Sequence, residues 1–204
     1  MIQEKPAAHW DQILQQESTA DSHSRTESFR KALPLTSNNR RLLPRRHRRL
    51  DQVEPRLCEV FRKLATGEEN WPLFIFGEPG VGKTCAALAL CDVIETAAYL
   101  TTEELCDRTM AQPAGEVQEM WETIGQKHLA VLDEIGCRER VTHLHYSTTK
   151  RFLDVRELEA SRVGIYISNV QPDDIGRLYD RRIASRMLAG VCFHLKDRDR
   201  RYAK

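Results

Sequence analysis

Residues Gly77-Glu78-Pro79-Gly80-Val81-Gly82-Lys83-Thr84 spell the pattern G-x-x-x-x-G-K-T, which demands a strand before it and a helix after it. Both flanks are present. Pro72-Leu73-Phe74-Ile75-Phe76 is a short apolar run rich in β-formers, of the kind that builds a strand buried on both faces. Cys85-Ala86-Ala87-Leu88-Ala89-Leu90-Cys91 has good helix formers and no breaker. Glycines let the backbone wrap phosphate closely, and the first amides of the helix point at the anion. The pattern therefore predicts binding of a nucleoside triphosphate along Gly77 to Cys85. Lys83 is placed to reach the β- and γ-phosphates, and Thr84 to set its hydroxyl on Mg2+.

Two later apolar runs end in polar residues suited to the same chemistry. His128-Leu129-Ala130-Val131-Leu132 reads as a buried strand and delivers Asp133-Glu134. Asp133 is expected to hold Mg2+, directly or through its water shell, and Glu134 to polarise an attacking water. Val163-Gly164-Ile165-Tyr166-Ile167 reads as another strand and delivers Ser168-Asn169. An amide at that strand end is expected to contact the γ-phosphate and the water. A small-molecule kinase on the same fold needs an acceptor pocket and a closing lid with arginines in cis; adjacent Asp133-Glu134 and Asn169 argue against it. A DNA-binding adaptor that uses ATP only as a switch has no need of Glu134.

The remaining segments complete an α/β alternation. Val53, Leu57, Val60, Phe61 and Leu64 give a helix over 51–65 one apolar side, and Gly67 closes it. The loop helix runs over about 82–96, and 97–100 is a short strand. Thr101-Thr102-Glu103-Glu104 starts two helical segments interrupted near Pro113. Residues 136–147 read as a polar loop; its Cys137, His143 and His145 lack the number and spacing of zinc ligands. A helix over 148–160 with Phe152, Val155 and Leu158 inward follows, then a helix from Pro172 and an arginine-bearing helix ending at Met187. Val191-Cys192-Phe193-His194-Leu195 makes the last of five parallel strands set between helices.

Charge is distributed unevenly along the 204 residues. Between Ser28 and Leu50 lie eight Lys/Arg and no acid, leaving 23 basic side chains against 30 acidic ones elsewhere. Residues 1–49 are therefore expected to form a flexible basic arm, and 50–204 the ATPase domain. The arm suits an anionic partner, either nucleic-acid phosphates or an acidic protein surface. Trp10, Ile13 and Leu14 have the i, i+3, i+4 spacing of a short partner-docking helix. No apolar run reaches the ~20 residues of a membrane helix, and the six scattered cysteines suit buried thiols, so a cytoplasmic location without a membrane partner is expected.

The series Gly77–Thr84, Asp133-Glu134, Ser168-Asn169 and Asp180-Arg181-Arg182-Ile183-Ala184-Ser185-Arg186-Met187 resembles the AAA+ ATPases of the initiator and helicase-loader clade, specifically the DnaC/IstB-like group. The match spans about residues 70–196. The S-R-M after D-R-x-I looks like the arginine-finger segment shared with DnaA and DnaC. By that resemblance Lys83 and Thr84 are Walker A residues, Asp133 and Glu134 Walker B, and Asn169 sensor 1. Arg186 is then the finger acting on a neighbour's ATP, with Arg182 second choice. The resemblance implies ATP and Mg2+ as cofactors and a homo-oligomer when ATP is bound. It also implies a replicative helicase (DnaB-like) as partner on single-stranded DNA, or in the IstB-like alternative a transposase. The short build suggests a phage or prophage replication module without a C-terminal lid.

Overall fold

The computed structural model describes residues 50–94, 96–137, 140–157 and 163–196. The basic arm, Trp10, Ile13, Leu14 and Leu158 lie outside the described residues. A 3-10 turn at Leu50–Gln52 precedes α1 (Pro55–Thr66). The sequence suggested one helix from 51; Pro55, which has no N–H to donate, instead takes the first turn of a separate helix. Glu54 accepts the Leu57 N–H at 2.8 Å, and Gly67, at φ 78°, closes the far end.

The sheet consists of β1 (Leu73–Phe76), β2 (Ala97–Thr101), β3 (Leu129–Ile135), β4 (Val163–Ser168) and β5 (Val191–His194). Its order is β2-β3-β4-β1-β5, with every pair parallel. The helices between them are α2 (Lys83–Val93), α3 (Thr102–Ala111), α4 (Ala114–Gln126), α5 (His143–Glu157), α6 (Pro172–Leu178) and α7 (Arg181–Met187).

Strand alternation sends side chains into two cores. Leu73, Ile75, Leu129, Val131, Ile165 and Ile167 meet α1 and α2 on one face. Phe74, Phe76, Leu132 and Tyr166 meet Trp121 of α4, Phe152 of α5 and Ile183 of α7 on the other. Each such buried side chain contributes roughly 1.5–3 kcal/mol.

Helix α5 begins at His143, whereas the sequence placed 143–147 in a loop. Thr142 Oγ1 accepts the His145 N–H at 3.3 Å, and Thr142 O accepts Tyr146 N–H at 3.0 Å, so a capping turn starts the helix early. Arg156 is buried and donates to the carbonyls of Ile124, His128 and Val163 at 3.1, 2.8 and 2.7 Å and to that of Lys127. It ties the end of α4 to the starts of β3 and β4.

Because β1 is flanked by β4 and β5 and not by β2, the chain leaving β1 crosses over β4 and β3 to reach the sheet edge. That reversal opens a crevice at the carboxyl ends of β1, β3 and β4, where open parallel sheets bind ligands. No helix among the described residues is long and apolar enough to cross a membrane.

Candidate functional site

The phosphate-loop sequence leaves β1 through three glycines with positive φ: Gly77 at 148°, Gly80 at 82° and Gly82 at 104°. At Gly77 the lack of a side chain has a second use. A Cβ there would lie 2.3 Å from the Leu195 carbonyl oxygen, because the chain after β5 crosses here and Leu195 N–H bonds Phe76 O at 2.8 Å. Val81 is buried under the loop, while Glu78 and Pro79 form its exposed crest. Lys83 and Thr84 open α2, with Cys85 half-buried behind them.

The structure brings the start of α2 together with the two polar strand ends that the sequence singled out. Lys83 Nζ donates to Gly77 O and Glu78 O, both at 2.8 Å, and to Asn169 Oδ1 at 2.7 Å. Thr84 Oγ1 donates to Asp133 Oδ2 at 2.6 Å. Ser168 braces this end of the sheet: its hydroxyl donates to Ile135 O at 2.6 Å and accepts Val170 N–H at 2.9 Å.

Asp133 is buried at 3% exposure. Burial raises its pKa, opposed by hydrogen bonds from Thr84, Tyr99 and the Glu134 N–H. Glu134 differs in exposure and backbone conformation. It is exposed at φ 61°, a left-handed conformation that costs a non-glycine residue about 1–2 kcal/mol. The β3–β4 register shifts between Leu132 and Ile135, so Glu134 leaves the regular ladder and is exposed. Its pKa is raised by partial desolvation first, then by the charges of Asp133 and Glu103. The two adjacent acids thus occupy different environments, one held inside and one projecting.

The donor chemistry fits Mg2+: a hydroxyl and a carboxylate side by side, both hard oxygen ligands. Among the described residues no group of three or more His, Cys, Asp or Glu is placed to hold a metal ion. His145 bonds Thr142 Oγ1 through Nδ1 at 2.6 Å and Glu103 through Nε2 at 3.1 Å. Cys137 stands near the site, its thiol pushed up to about 11 chiefly by burial.

Arg186 and Arg182 are elsewhere, on α7. Asp180 caps that helix by accepting Ile183 N–H at 2.7 Å. Arg186 pairs with Asp154 at 2.8 Å and with Glu157, both on α5. Arg182 is exposed. Neither joins the cluster around Lys83.

Sequence reasoning missed Tyr99 of β2, whose hydroxyl donates to Asp133 Oδ2 at 2.7 Å, and Thr102, which donates to Asp133 O at 3.1 Å. It also missed Glu103, which acts on Glu134 through its charge. A polar residue within an apolar strand was the only signal for Tyr99. Its pKa is raised well beyond the ordinary phenol range by burial and by Asp133, which keeps it a proton donor.

Strand order, phosphate loop after β1 and acid pair on β3 define a P-loop fold of the AAA+ type. No protein-family model matches the chain, and no curated protein matches its sequence. Solved structures match its fold. A DNA replication initiation factor superposes with a TM-score of 0.63 at 18% identity, covering 76% of this chain and 51% of that one. AMPPCP-bound DnaA from Aquifex aeolicus gives 0.60 at 17%, covering 78% and 53%. The DnaC helicase loader gives 0.61 at 19%, covering 72% of this chain and 96% of the other. The chain spans about half the length of the first two. The fold resemblance to DnaC-like proteins and DnaA expected from the sequence is thus met in three dimensions.

Proposed function

We propose that this chain is an ATP-hydrolysing replication protein of the helicase-loader type, acting with a replicative helicase on single-stranded DNA. The observation that carries the reading is the convergence of Lys83 with Asn169, and of Thr84 with Asp133, at one end of the sheet. The loader role is supported by the fold shared with DnaC over nearly the whole of that structure, and by the likeness to a DNA replication initiation factor.

In this reading the amides of Gly80 to Cys85 cradle the β-phosphate, and Lys83 exchanges its carbonyl partners for β- and γ-phosphate oxygens. Thr84 and Asp133 would hold Mg2+, whose charge would offset that of the phosphates. Glu134 orients and polarises the water for in-line attack, and Asn169 contacts both the γ-phosphate and that water. No covalent intermediate forms. Arg186 of one subunit, released from Asp154 and Glu157, meets the γ-phosphate held by the next, with Arg182 beside it. ATP thereby joins subunits into an oligomer, and hydrolysis frees them. Residues 50–204 form this ATPase unit, and the basic arm 1–49 engages the helicase or the DNA.

The test is loading of a DnaB-like replicative helicase onto protein-coated single-stranded DNA. ATP-dependent loading, lost in Lys83→Ala, is the expected result. ATP turnover without helicase recruitment, but with stimulation of a transposase, would replace the loader role by the transposase-helper one.

A further inference from the structure

Asp133 Oδ2 accepts two hydroxyl protons, from Thr84 at 2.6 Å and from Tyr99 at 2.7 Å, while Oδ1 accepts the Glu134 N–H at 2.6 Å. Thr84, Asp133 and Glu134 belong to the recognised motifs; Tyr99 does not. Tyr99 comes from β2, an edge strand paired in parallel with β3, its Cα opposite Val131 and that of Thr101 opposite Asp133. Tyr99 therefore stands two residues short of the carboxylate, roughly 6.6 Å along the strand. Among side chains with a neutral oxygen donor, the long, rigid phenol is the one that spans such a gap.

We propose that Tyr99 is a positioning residue for the Mg2+ site, holding the Asp133 carboxylate in the orientation that lets Thr84 act as a ligand. This rests on the reading of Thr84 and Asp133 as the metal-holding pair. Thr84 has a single hydroxyl proton. Donated to Asp133, it leaves the oxygen lone pairs turned away from the carboxylate and available to a cation. That arrangement requires Oδ2 to stay where it is. The Glu134 N–H pins Oδ1, but it comes from the strained turn at φ 61°. Tyr99, whose ring packs against the core on the α2 side of the sheet, pins Oδ2 from a regular strand. Without its hydroxyl the carboxylate is free to turn about its Cβ–Cγ bond, and Thr84 alone must both restrain it and bind the ion. Partners that orient metal ligands commonly govern affinity 10- to 100-fold.

The experiment is binding of a fluorescent ATP analogue to the full chain, titrated with MgCl2 from an EDTA baseline, for wild type and Tyr99→Phe. The Mg2+ midpoint is expected to rise about 10-fold or more, while affinity in EDTA changes less than twofold. An unchanged midpoint, or equal weakening with and without Mg2+, overturns the proposal. Wild-type binding indifferent to Mg2+ would instead overturn the reading beneath it. Removing a donor from a buried carboxylate can also lower stability, so the pair is measured again in Asp133→Asn, where no carboxylate is left to orient. There Tyr99→Phe is expected to add nothing to the Mg2+ effect; additive losses overturn the proposal.

Discussion

The Lys83 ammonium lies 2.7 Å from Oδ1 of Asn169, 86 positions further along the chain. The contact links the start of α2 to the residue that follows β4. Asn169→Ala is expected to change nucleotide affinity less than about threefold but to lower turnover on the order of 100-fold, as losing one aimed polar group does. Equilibrium binding and steady-state hydrolysis on the same preparation separate the two.

In the proposed mechanism Glu134 gives the reaction an acid limit. It must be ionised to polarise water, and its raised pKa means that activity is lost, as pH falls, at a higher pH than the ~4.3 of an ordinary glutamate. Part of the rise comes from Glu103. Glu103→Gln removes that like charge and is expected to move the acid limb of the pH–rate profile to lower pH. A limb that stays or moves up would contradict this.

The backbone at Glu134 sets function against stability. At φ 61° glycine is relieved of the left-handed penalty, though it adds freedom to the unfolded chain. Glu134→Gly is therefore expected to be more stable than Glu134→Gln by roughly 0.5–1 kcal/mol in urea unfolding, with both lacking turnover. Equal stability of the two would show that the turn carries no strain.

Two arginines are expected to behave in opposite ways. Arg156→Ala strips donors from four carbonyls and is expected to cost about 3 kcal/mol or more. Arg186→Ala breaks partly exposed pairs with Asp154 and Glu157 and is expected to cost under about 1 kcal/mol. Its turnover should nonetheless fall about 1,000-fold. Thermal or urea unfolding beside ATPase assays checks both.

What the sequence made legible follows from local chemistry. Gly77 to Thr84 fixed a strand, turn and helix, and two apolar runs ending in Asp133-Glu134 and Ser168-Asn169 marked the strand ends that face it. The roles of Tyr99, Thr102 and Arg156 depend on which strands and helices become neighbours. Tyr99 meets Asp133 only because β2 pairs with β3, and Arg156 meets its carbonyls only once α4, β3 and β4 are assembled. Nothing in their local sequence distinguishes a core tyrosine from a positioning one, or a solvated arginine from a buried clamp. The early start of α5 was missed because His143 to Ser147 is polar, and the deciding group is the Thr142 hydroxyl.

The most direct test of the central claim mixes two inactive subunits. In the proposed reading Lys83→Ala loses its own ATP site but keeps Arg186, and Arg186→Ala keeps the site but lacks the finger. Hydrolysis per subunit is measured across a protein titration, with and without single-stranded DNA, for each variant and for their mixture. Each variant alone is expected to be nearly inactive, with activity returning on mixing and wild-type turnover per subunit rising with concentration. Turnover that is flat on dilution, together with a harmless Arg186→Ala, would contradict ATP hydrolysis at a shared subunit interface.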